Sequence, residues 1–409
     1  MFDYLVVGLG LIGSASLRYL SELSGNVAGI GPAEPADEAT HEGIYGAWFD
    51  NGRLARQLTT DPVWAELAQR ALTEFPHLEE KSDVPFYTGS GHIFVSDKPL
   101  GDAHWQAIDE VAEKYEVNYR RLDHEARRRE FPLLHVPATA EASWEAAPAG
   151  FLNPRRLVQA EQTAAAQNGA TILNYIVTHV RDCGDHYELT TRDGEAVKAR
   201  RVLLATGAYS TSFDLTPRQP ALRYKGELIV RAEVSEAEAA RYGDMPTVIY
   251  LIDDPEVADI YLVRPIQYPD GRYYLKMGCN TIVDEHVDGL DGINGWYRAG
   301  DSDRFLPVFQ RLVGRLFPEM EVLAWLTGRC VITYTTHGLP YVDTLVPGRL
   351  YTALGGNGSS AKAADPLGNL AANLVVNDGW TDEMAAEPFR LVYEDEIERW
   401  PRQHLMREH

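Results

Sequence analysis

The stretch FDYLVVGLGLIGSASLRYLSEL, residues 2–23, decides the fold of this chain. Its residues 3–7 are a short β-prone run, residues 8–13 are a glycine-rich turn, and residues 14–23 carry small and apolar side chains at helical spacing. A second apolar run follows at residues 26–30. The order strand, turn, helix, strand predicts the βαβ unit that opens a parallel sheet.

The turn GLGLIGS, residues 8–14, fits the pattern G-x-G-x-x-G in that context. Gly8 permits a tight turn, Gly10 lets the backbone approach a pyrophosphate, and Gly13 permits close helix packing. The free amides and the dipole of the helix N-terminus favour an anion there. The alternative is a purely structural glycine-rich turn. We expect dinucleotide contacts from the whole motif: Gly8, Gly10, Leu11, Ile12, Gly13 and Ser14.

The end of the second strand departs from the usual pattern. An acidic residue normally follows this strand and binds the ribose. Here the chain reads GIGPAEPAD, so Gly31 and Pro32 take that place and Glu34 is at best a displaced substitute. We expect Gly31 and Pro32 to lie against the cofactor.

Composition excludes several classes of partner. The 409 residues are 45% hydrophobic and 24% charged, which is typical of a globular protein of two or more domains. Lys and Arg number 38 against 60 Asp and Glu, a net charge of −22, which disfavours nucleic acids and anionic membranes. Three scattered cysteines predict neither a disulfide framework nor a metal site and favour the cytoplasm. No apolar run reaches the length of a membrane span, and the N-terminal segment lacks the basic start of a signal peptide.

The rest of the chain predicts two kinds of sheet. Residues 62–75 and 157–168 are typical of amphipathic helices, and Arg192-Asp193-Gly194 lies between two alternating runs, as a hairpin turn does. Residues 223–283 alternate strongly, which predicts an antiparallel sheet separate from the parallel one. Elements typical of nucleotide binding occur at both ends of the chain, so the two domains are expected to be interleaved.

Four segments resemble the FAD-dependent amine and D-amino-acid oxidases, and among them the sarcosine-oxidase-like branch. They are GLGLIGSASLRYL, RRVLLATGAYS, YLKMGCNT and the stretch from Cys330 through GGNGSSAKAADPLG, in the family's order. The resemblance implies an α/β fold in which a Rossmann-like, GR2-type FAD-binding domain is interleaved with a mainly antiparallel substrate domain. It implies residues 1–80, 150–220 and 325–400 for the first domain, and 81–149 and 221–324 for the second.

The resemblance also implies roles for single residues. Lys276 in YLKMG matches a lysine over the flavin that promotes reaction with O₂, where a fixed cation stabilises developing superoxide charge. The alternative is a lysine extending from an edge strand to solvent. Cys330 matches the position where related enzymes attach FAD covalently, and the alternative is a small core residue. Lys362 matches a lysine that pairs with the substrate carboxylate, and the alternative is a solvated lysine at a helix start.

Further cofactor contacts follow from the resemblance. They are His41 in the segment THEGIYGAWFDNGR and, in the middle and C-terminal loops, Gly207, Ala208, Gly355, Gly356, Asn357, Gly358, Ser359 and Ser360. The family's arginines in the early segment are replaced by residues such as Gly43, Gly46 or Phe49. Arg53, which follows in the chain, can compensate for them, and the alternative is a surface arginine. Tyr261, Arg264 and Phe49 are candidates for the wall of the substrate pocket, whose aromatic character favours a bulky or apolar substrate.

The resemblance therefore implies an FAD-dependent oxidase of the C–N bond of an amino acid or N-substituted glycine. Its partners are a small amine or amino-acid substrate and O₂, and it is expected to be a monomer or homodimer. Three alternatives stay open from the residues alone: a dehydrogenase of the same fold with another electron acceptor, a nicotinamide-dependent Rossmann enzyme, and a non-catalytic FAD-binding subunit.

Overall fold

The computed structural model describes residues 1–35, 46–300, 302–398 and 400. Their strands are β1 (Phe2–Val7), β2 (Val27–Ile30), β3 (Arg53–Ala55), β4 (Tyr87–Thr88), β5 (His92–Ser96), β6 (Tyr119–Arg121), β7 (Glu141–Glu145), β8 (Gly150–Leu152), β9 (Thr171–Leu173), β10 (Val177–Asp182), β11 (Tyr187–Thr191), β12 (Ala196–Leu204), β13 (Arg223–Val234), β14 (Thr247–Leu251), β15 (Val257–Gln267), β16 (Tyr273–Thr281), β17 (Glu285–His286), β18 (Ala324–Tyr334), β19 (Tyr341–Val346) and β20 (Leu350–Leu354).

The helices of the described residues are α1 (Leu11–Leu23), α2 (Pro62–Ser82), α3 (Asp102–Lys114), α4 (His124–Glu130), α5 (Pro154–Gln167), α6 (Glu236–Arg241), α7 (Gly289–Ala299), α8 (Leu306–Leu316) and α9 (Ala364–Asn377). Short 3₁₀ turns lie at Gly207–Tyr209, Asp303–Phe305, Ser360–Ala363, Glu387–Phe389 and Glu394–Glu396. Among these residues no helix is both long and apolar enough to cross a lipid bilayer.

A parallel sheet carries the glycine-rich turn. Strands β9, β2, β1, β12 and β20 lie side by side and parallel, and β19 adds an antiparallel edge next to β20. Strand β10 pairs antiparallel with β11, and β11 pairs antiparallel with the start of β12 through a turn that includes Gly194 at φ +85°. This confirms the expected hairpin. The carboxyl ends of β1, β12 and β20 meet at one edge, where ligands bind in open α/β sheets.

Helices α1, α2, α5 and α9 pack together around one buried arginine. Arg18 on α1 donates Nε to Glu161 on α5 at 2.6 Å, pairs with Asp365 on α9, and lies 3.3 Å from Glu74 on α2. Gly368 lets α9 approach α1 closely, because a Cβ there would lie 2.6 Å from Ser16 N. One cation thus joins four helices of this half of the molecule.

Helix α2 is longer than expected. The sequence predicts an end at residue 75, before Pro76, yet the helix runs from Pro62 to Ser82 with the proline inside it. Asp61 caps its start by accepting from Val63 N and Trp64 N. Beyond the proline, Leu78 is buried in the same apolar cluster as Phe75. This burial outweighs the hydrogen bond that proline cannot make.

The second large sheet is mainly antiparallel, and its two faces differ. Its strands follow the order β17, β13, β16, β15, β14, β5, β7, β6, and β18 pairs with the other edge of β13. One face is apolar and forms the largest core cluster, to which β13, β15 and β16 contribute Leu228, Val230, Ile260, Leu262, Leu275, Met277 and Cys279. Because side chains alternate along a strand, the intervening residues point to the opposite face.

A third, small sheet has the strand order β3, β8, β4. Strand β18 pairs with β13, so the expected FAD-binding segment 325–400 begins inside the antiparallel sheet. The physical reason is register: β18 is hydrogen-bonded to β13 from Arg223 to Glu233. The division of the whole chain into two interleaved domains stays a prediction.

Candidate active site

A cleft of about 320 Å³ lies between the carboxyl edge of the parallel sheet and the polar face of the antiparallel sheet. Three loops that follow β1, β12 and β20 form one wall. Strands β13, β15, β16 and β18 form the other. The lining residues used below are Gly8, Gly10, Leu11, Ile12, Pro32, Trp48, Arg53, Arg56, Gly207, Ala208, Glu227, Asp259, Tyr261, Asn280, Cys330, Gly355, Gly356, Asn357, Gly358, Ser359, Ser360 and Lys362.

The glycine-rich turn is shaped to receive a pyrophosphate. Gly8 has φ +95°, and a Cβ at Gly10 would lie 3.3 Å from the Trp48 ring. The first helical hydrogen bond joins Ser14 N to Gly10 O at 2.9 Å, so the amides before it have no helical acceptor. Gly8, Gly10, Leu11 and Ile12 line the cleft. The residues of this turn fit a dinucleotide.

Gly13 and Ser14 were expected to touch the cofactor, and the structure places them behind the turn instead. A Cβ at Gly13 would collide with Gly8 O and lie 3.1 Å from Ala205 Cβ. Ser14 Oγ donates to Leu9 O at 3.1 Å. Both residues therefore hold the shape of the turn rather than face the cleft.

Of the two residues after β2 that were expected to contact the cofactor, only one lines the cleft. Pro32 lines the cleft, but Gly31 packs against the turn, since a Cβ there would lie 2.8 Å from Leu9 N. Glu34 accepts from Arg155 Nε at 2.8 Å, so its carboxylate is engaged away from a ribose. The expected contact at His41, like Gly43, falls outside the described residues.

The middle and C-terminal loops reach the cleft as expected. Gly207 and Ala208 begin a 3₁₀ turn directly after β12. Every expected residue of the loop from Gly355 to Ser360 lines the cleft. The Asn357 side chain fixes this loop, because its Oδ1 accepts from Thr335 N at 2.9 Å and its Nδ2 donates to Gly355 O at 2.8 Å.

The polar face of the antiparallel sheet carries residues that the sequence analysis missed. Glu227 on β13 pairs with Cys330 on β18, and Asp259 on β15 pairs with Asn280 on β16. The neighbouring pair Leu228–Cys279 sets Glu227 beside Asn280. We call Glu227, Asn280 and Asp259 the acidic row. Alternation within residues 223–283 was the available signal: Glu227 lies one residue from the apolar face, so it points to the cleft.

Lys276 lies on the same face but behind the cleft wall, and it does not line the cavity. Its side chain is fully buried. Nζ donates to Asp50 Oδ2 and to Gly52 O, both at 2.5 Å, and lies 5.4 Å from the centre of the Tyr261 ring. Burial, and then the charge of Arg53, lower the pKa of Lys276 well below its usual value, and the Glu227 carboxylate opposes this shift. The alternative of a lysine reaching to solvent is wrong.

Cys330 lines the cleft, as attachment to a bound cofactor requires. Its Sγ lies 3.7 Å from Arg53 Nη2. Burial raises the pKa of the Cys330 thiol, and the Arg53 guanidinium opposes that rise. Covalent attachment of FAD at this residue stays a prediction.

Two cations form what we call the cationic corner, Arg56 and Lys362. Both are buried and line the cleft. Nearby, Glu145 accepts from Gln57 N at 2.9 Å and from Leu58 N at 3.2 Å. Within the described residues Lys362 Nζ has neither a hydrogen bond nor an ion pair. Burial, and then the charge of Arg56, lower the pKa of Lys362 well below its usual value.

The alternative of a surface arginine at position 53 is wrong. Arg53 lines the cleft and pairs with Asp50, and Arg56 belongs to the cationic corner. Strand β3 positions both: Arg53 begins it, and Arg56 follows it directly. The spacing R-x-x-R in RLAR places both arginines in one short segment, but this spacing alone does not distinguish a buried arginine from a surface one.

Of the three expected pocket-wall residues, only Tyr261 lines the cleft. Gly278, its cross-strand partner, makes room for its ring. Arg264 is three positions along β15, so the two-residue period turns it to the other face, where its guanidinium lies 5.5 Å from the Phe151 ring. Phe49 packs against the core and under Arg155, and its neighbour Trp48 lines the cleft instead.

Residues 3–374 match the family model described as FAD dependent oxidoreductase. The chain therefore belongs to the FAD-dependent oxidoreductase family. Its expected family, α/β fold class, FAD cofactor and enzyme class are confirmed. The nicotinamide-dependent alternative is set aside, because the family uses a flavin.

Relatives with named activities are distant. The chain is 26% identical to monomeric sarcosine oxidase from Streptomyces avermitilis over 42% of each protein. It is 21% identical to L-saccharopine oxidase from Schizosaccharomyces pombe over 91% of this chain and 89% of that protein. The solved structure of NikD, an unusual amino acid oxidase essential for nikkomycin biosynthesis, superimposes with a TM-score of 0.75 at 18% identity, over 96% of this chain and 98% of NikD. These names agree with oxidation of amines or amino acids.

Proposed function

We propose that this protein is an FAD-dependent oxidase that acts on the C–N bond of an amino acid or N-substituted glycine. Two electrons and two hydrogens leave the substrate, which becomes an imine, and O₂ takes them up as H₂O₂. Water then hydrolyses the imine to a carbonyl compound and an amine. The observation that carries this proposal is the cationic corner, Arg56 and Lys362, which opens into the cleft.

The cationic corner supports a substrate that bears a carboxylate. Lys362 is 5% exposed, and a buried ammonium without a hydrogen-bond partner is costly unless a ligand supplies one. A carboxylate in the cleft can accept from Lys362 Nζ and from the Arg56 guanidinium together. Such paired donors hold the substrate in one orientation, which places its C–H bond for reaction. Simple alkylamines lack this anchor.

Residues on both walls support the cofactor's placement. The amides of Gly10 to Ile12 would hold the pyrophosphate, and the loop from Gly355 to Ser360 would approach the flavin. Bound FAD supplies the two-electron chemistry that protein side chains lack. Lys276 is the candidate for promoting reaction with O₂, because a cation near developing negative charge lowers the barrier. Asp50 and Gly52 hold Lys276 in position for that role.

The domain division, the location in the cell and the oligomeric state are also proposals. We propose the interleaved division into an FAD-binding domain and a substrate domain, a cytoplasmic location, and a monomer or homodimer. The chain's acidic balance, −22, supports the expectation of small-molecule partners rather than nucleic acids or membranes.

The experiment is anaerobic reduction of the bound flavin, followed as loss of its visible absorbance. N-alkylglycines, D- and L-amino acids and cyclic imino acids are added in turn, and each reactive compound is then tested for O₂ consumption without another acceptor. We expect carboxylate-bearing amines to bleach the flavin and O₂ to restore its colour. Bleaching without O₂ consumption would identify a dehydrogenase, and no bleaching by any compound would contradict the proposal.

The variant Lys276→Met separates the two half-reactions. We expect it to keep anaerobic bleaching and to lose about a hundredfold or more of its rate with O₂, as removal of one electrostatic contact to a transition state commonly does. Lys81→Met, a partly exposed lysine on α2, is the matched control. Equal loss of both half-reactions in Lys276→Met would assign the residue a structural role.

A further inference from the structure

The acidic row presents negative charge to the cleft opposite the cationic corner. Glu227 and Asp259 line the cavity, and both side chains are nearly fully buried. They belong to the antiparallel sheet, whereas Arg56 follows β3 and Lys362 lies in the loop before α9. The two walls of one cleft therefore carry opposite charge.

The acidic row has a buried cation next to it, Lys225. Lys225 Nζ lies 3.3 Å from Glu227 Oε2 and 3.3 Å from Asp284 Oδ1, and it also donates to Asn280. Asn280 Nδ2 donates to Asp259 Oδ1 at 2.7 Å, which links the third carboxylate to the group. Lys225 thus lies among the carboxylates of Glu227, Asp259 and Asp284, and Lys276, which is paired with Asp50, adds a second positive charge near Glu227. Among these described residues, carboxylates outnumber ammonium groups.

Glu227 is the member of the row best placed to take a ligand. Its Oε2 lies 3.3 Å from Lys225 Nζ, with which it forms a buried ion pair at the wall of the cleft. Tyr261 hydrogen-bonds to the side chain and so fixes its direction. Burial raises the pKa of Glu227, and a cation from the cleft would stabilise its ionised form. Because each carboxylate oxygen accepts more than one hydrogen bond, Glu227 can keep Lys225 and still accept from a ligand in the cleft.

We propose that the substrate carries a second cationic group, an ammonium or guanidinium remote from the reacting nitrogen, which binds Glu227 within the acidic row. This inference rests on the proposed function and names its substrate class: a basic amino acid or its N-substituted derivative. The carboxylate of such a molecule binds the cationic corner, and its distal cation binds the opposite wall.

The acidic row suits a non-reacting cation better than the reacting amine. The amine must be neutral when its C–H bond is oxidised, and a carboxylate beside it would favour the protonated, unreactive form. A distal ammonium or guanidinium stays protonated throughout the reaction. The negative charge of the acidic row therefore favours substrates with a distal cation and does not favour protonation of the reacting amine.

The experiment compares Nα-methyl-L-lysine with N-methyl-L-norleucine, which differ by the distal ammonium. We expect anaerobic flavin reduction to favour the lysine derivative by about tenfold or more in kcat/KM, the scale of one hydrogen bond between charged groups. Glu227→Gln should bring the ratio close to one, because it lowers kcat/KM for the lysine derivative more than for the norleucine derivative. Glu233→Gln on the same strand, paired with Arg272 at 3.2 Å outside the cleft, should keep the wild-type ratio.

Binding is measured in parallel by isothermal titration of the wild-type holoenzyme with lysine and norleucine. This measurement needs neither turnover nor a variant that folds, and we expect lysine to bind about tenfold more tightly. Equal binding and equal kcat/KM would overturn the proposal while leaving the oxidase function intact. If Glu227→Gln slows both substrates alike, Glu227 serves the reacting amine and the proposal is wrong. If lysine binds preferentially but no amine bleaches the flavin, the proposed oxidase function fails and the cation site stands.

Discussion

Two groups of buried cations differ in how they are compensated. Arg18, between four helices, pairs with Glu22, Glu74, Glu161 and Asp365. The cationic corner is equally buried, yet Lys362 has no hydrogen-bond partner in the described part of the chain, and Glu145 directs its oxygens to backbone amides. Arg18 does not line the cleft, whereas Arg56 and Lys362 do.

This difference shows how a buried charged side chain is to be interpreted. A buried ion is tolerated when protein groups surround it, and then it holds elements together. A buried ion that protein groups leave unpaired indicates a ligand, because the folded chain alone does not repay its desolvation. Removing Arg18 should therefore destabilise the protein. Removing Lys362 should leave the stability unchanged and weaken the binding of the substrate.

The largest effect is expected from Arg18→Met. It leaves Glu161 and Asp365 buried without their cation, which should lower the free energy of unfolding by about 3–5 kcal/mol, measured by denaturant titration. Burial already raises the pKa of Glu161, so protonation removes the unpaired charge and the loss should shrink as the pH falls.

Arg70→Met is the matched control for Arg18. Arg70 pairs with Glu66 at 2.9 Å and Asp382 at 2.8 Å, but about a third of its side chain is exposed, so a loss of about 0–1 kcal/mol is expected. Equal losses in the two variants would mean that enclosure by four helices adds nothing to the Arg18 pairs.

Lys362→Met is expected to have a smaller effect, and to change kcat/KM rather than the free energy of unfolding. Loss of one buried charge pair with the substrate should lower kcat/KM for carboxylate-bearing amines by about a hundredfold. The melting temperature should stay the same or rise, since the variant removes an unpaired buried cation. Lys81→Met should change neither quantity. A fall in melting temperature with unchanged kcat/KM would show that Lys362, like Arg18, stabilises the fold and does not bind the substrate.

The sequence was sufficient for the fold because its decisive signals are local. The turn from Gly8 to Gly13 places a strand and a helix on either side of it, and alternation after residue 223 predicts an antiparallel sheet. The loop from Gly355 to Ser360 is a contiguous segment, so all its expected residues reached the cleft. The end of α2 could not be predicted in this way. The helix continues beyond Pro76 because Leu78 is buried in the core, which depends on tertiary contacts.

The site was less predictable because it is assembled across strands. The pairing of Glu227 with Cys330 joins residues 103 positions apart, and only register brings them together. Arg264 failed as a pocket residue for a reason that the sequence did contain, namely its odd spacing from Tyr261 on one strand. Arg56 was missed because nothing in the one-dimensional pattern separates a buried arginine from a surface one.

The smallest effect concerns pH. Burial and Arg56 lower the pKa of Lys362, so its ammonium loses a proton at a pH below that of an ordinary lysine. Below this lowered pKa the ammonium is charged and binds a carboxylate; as the pH rises through it, the neutral amine binds more weakly. The dissociation constant of propionate, which has no amine to titrate, should therefore rise by about tenfold across that range, measured from the flavin spectrum. Lys362→Arg keeps a protonated group and should remove the rise. A constant dissociation constant in the wild type would show that the charge of Lys362 is not what holds the carboxylate.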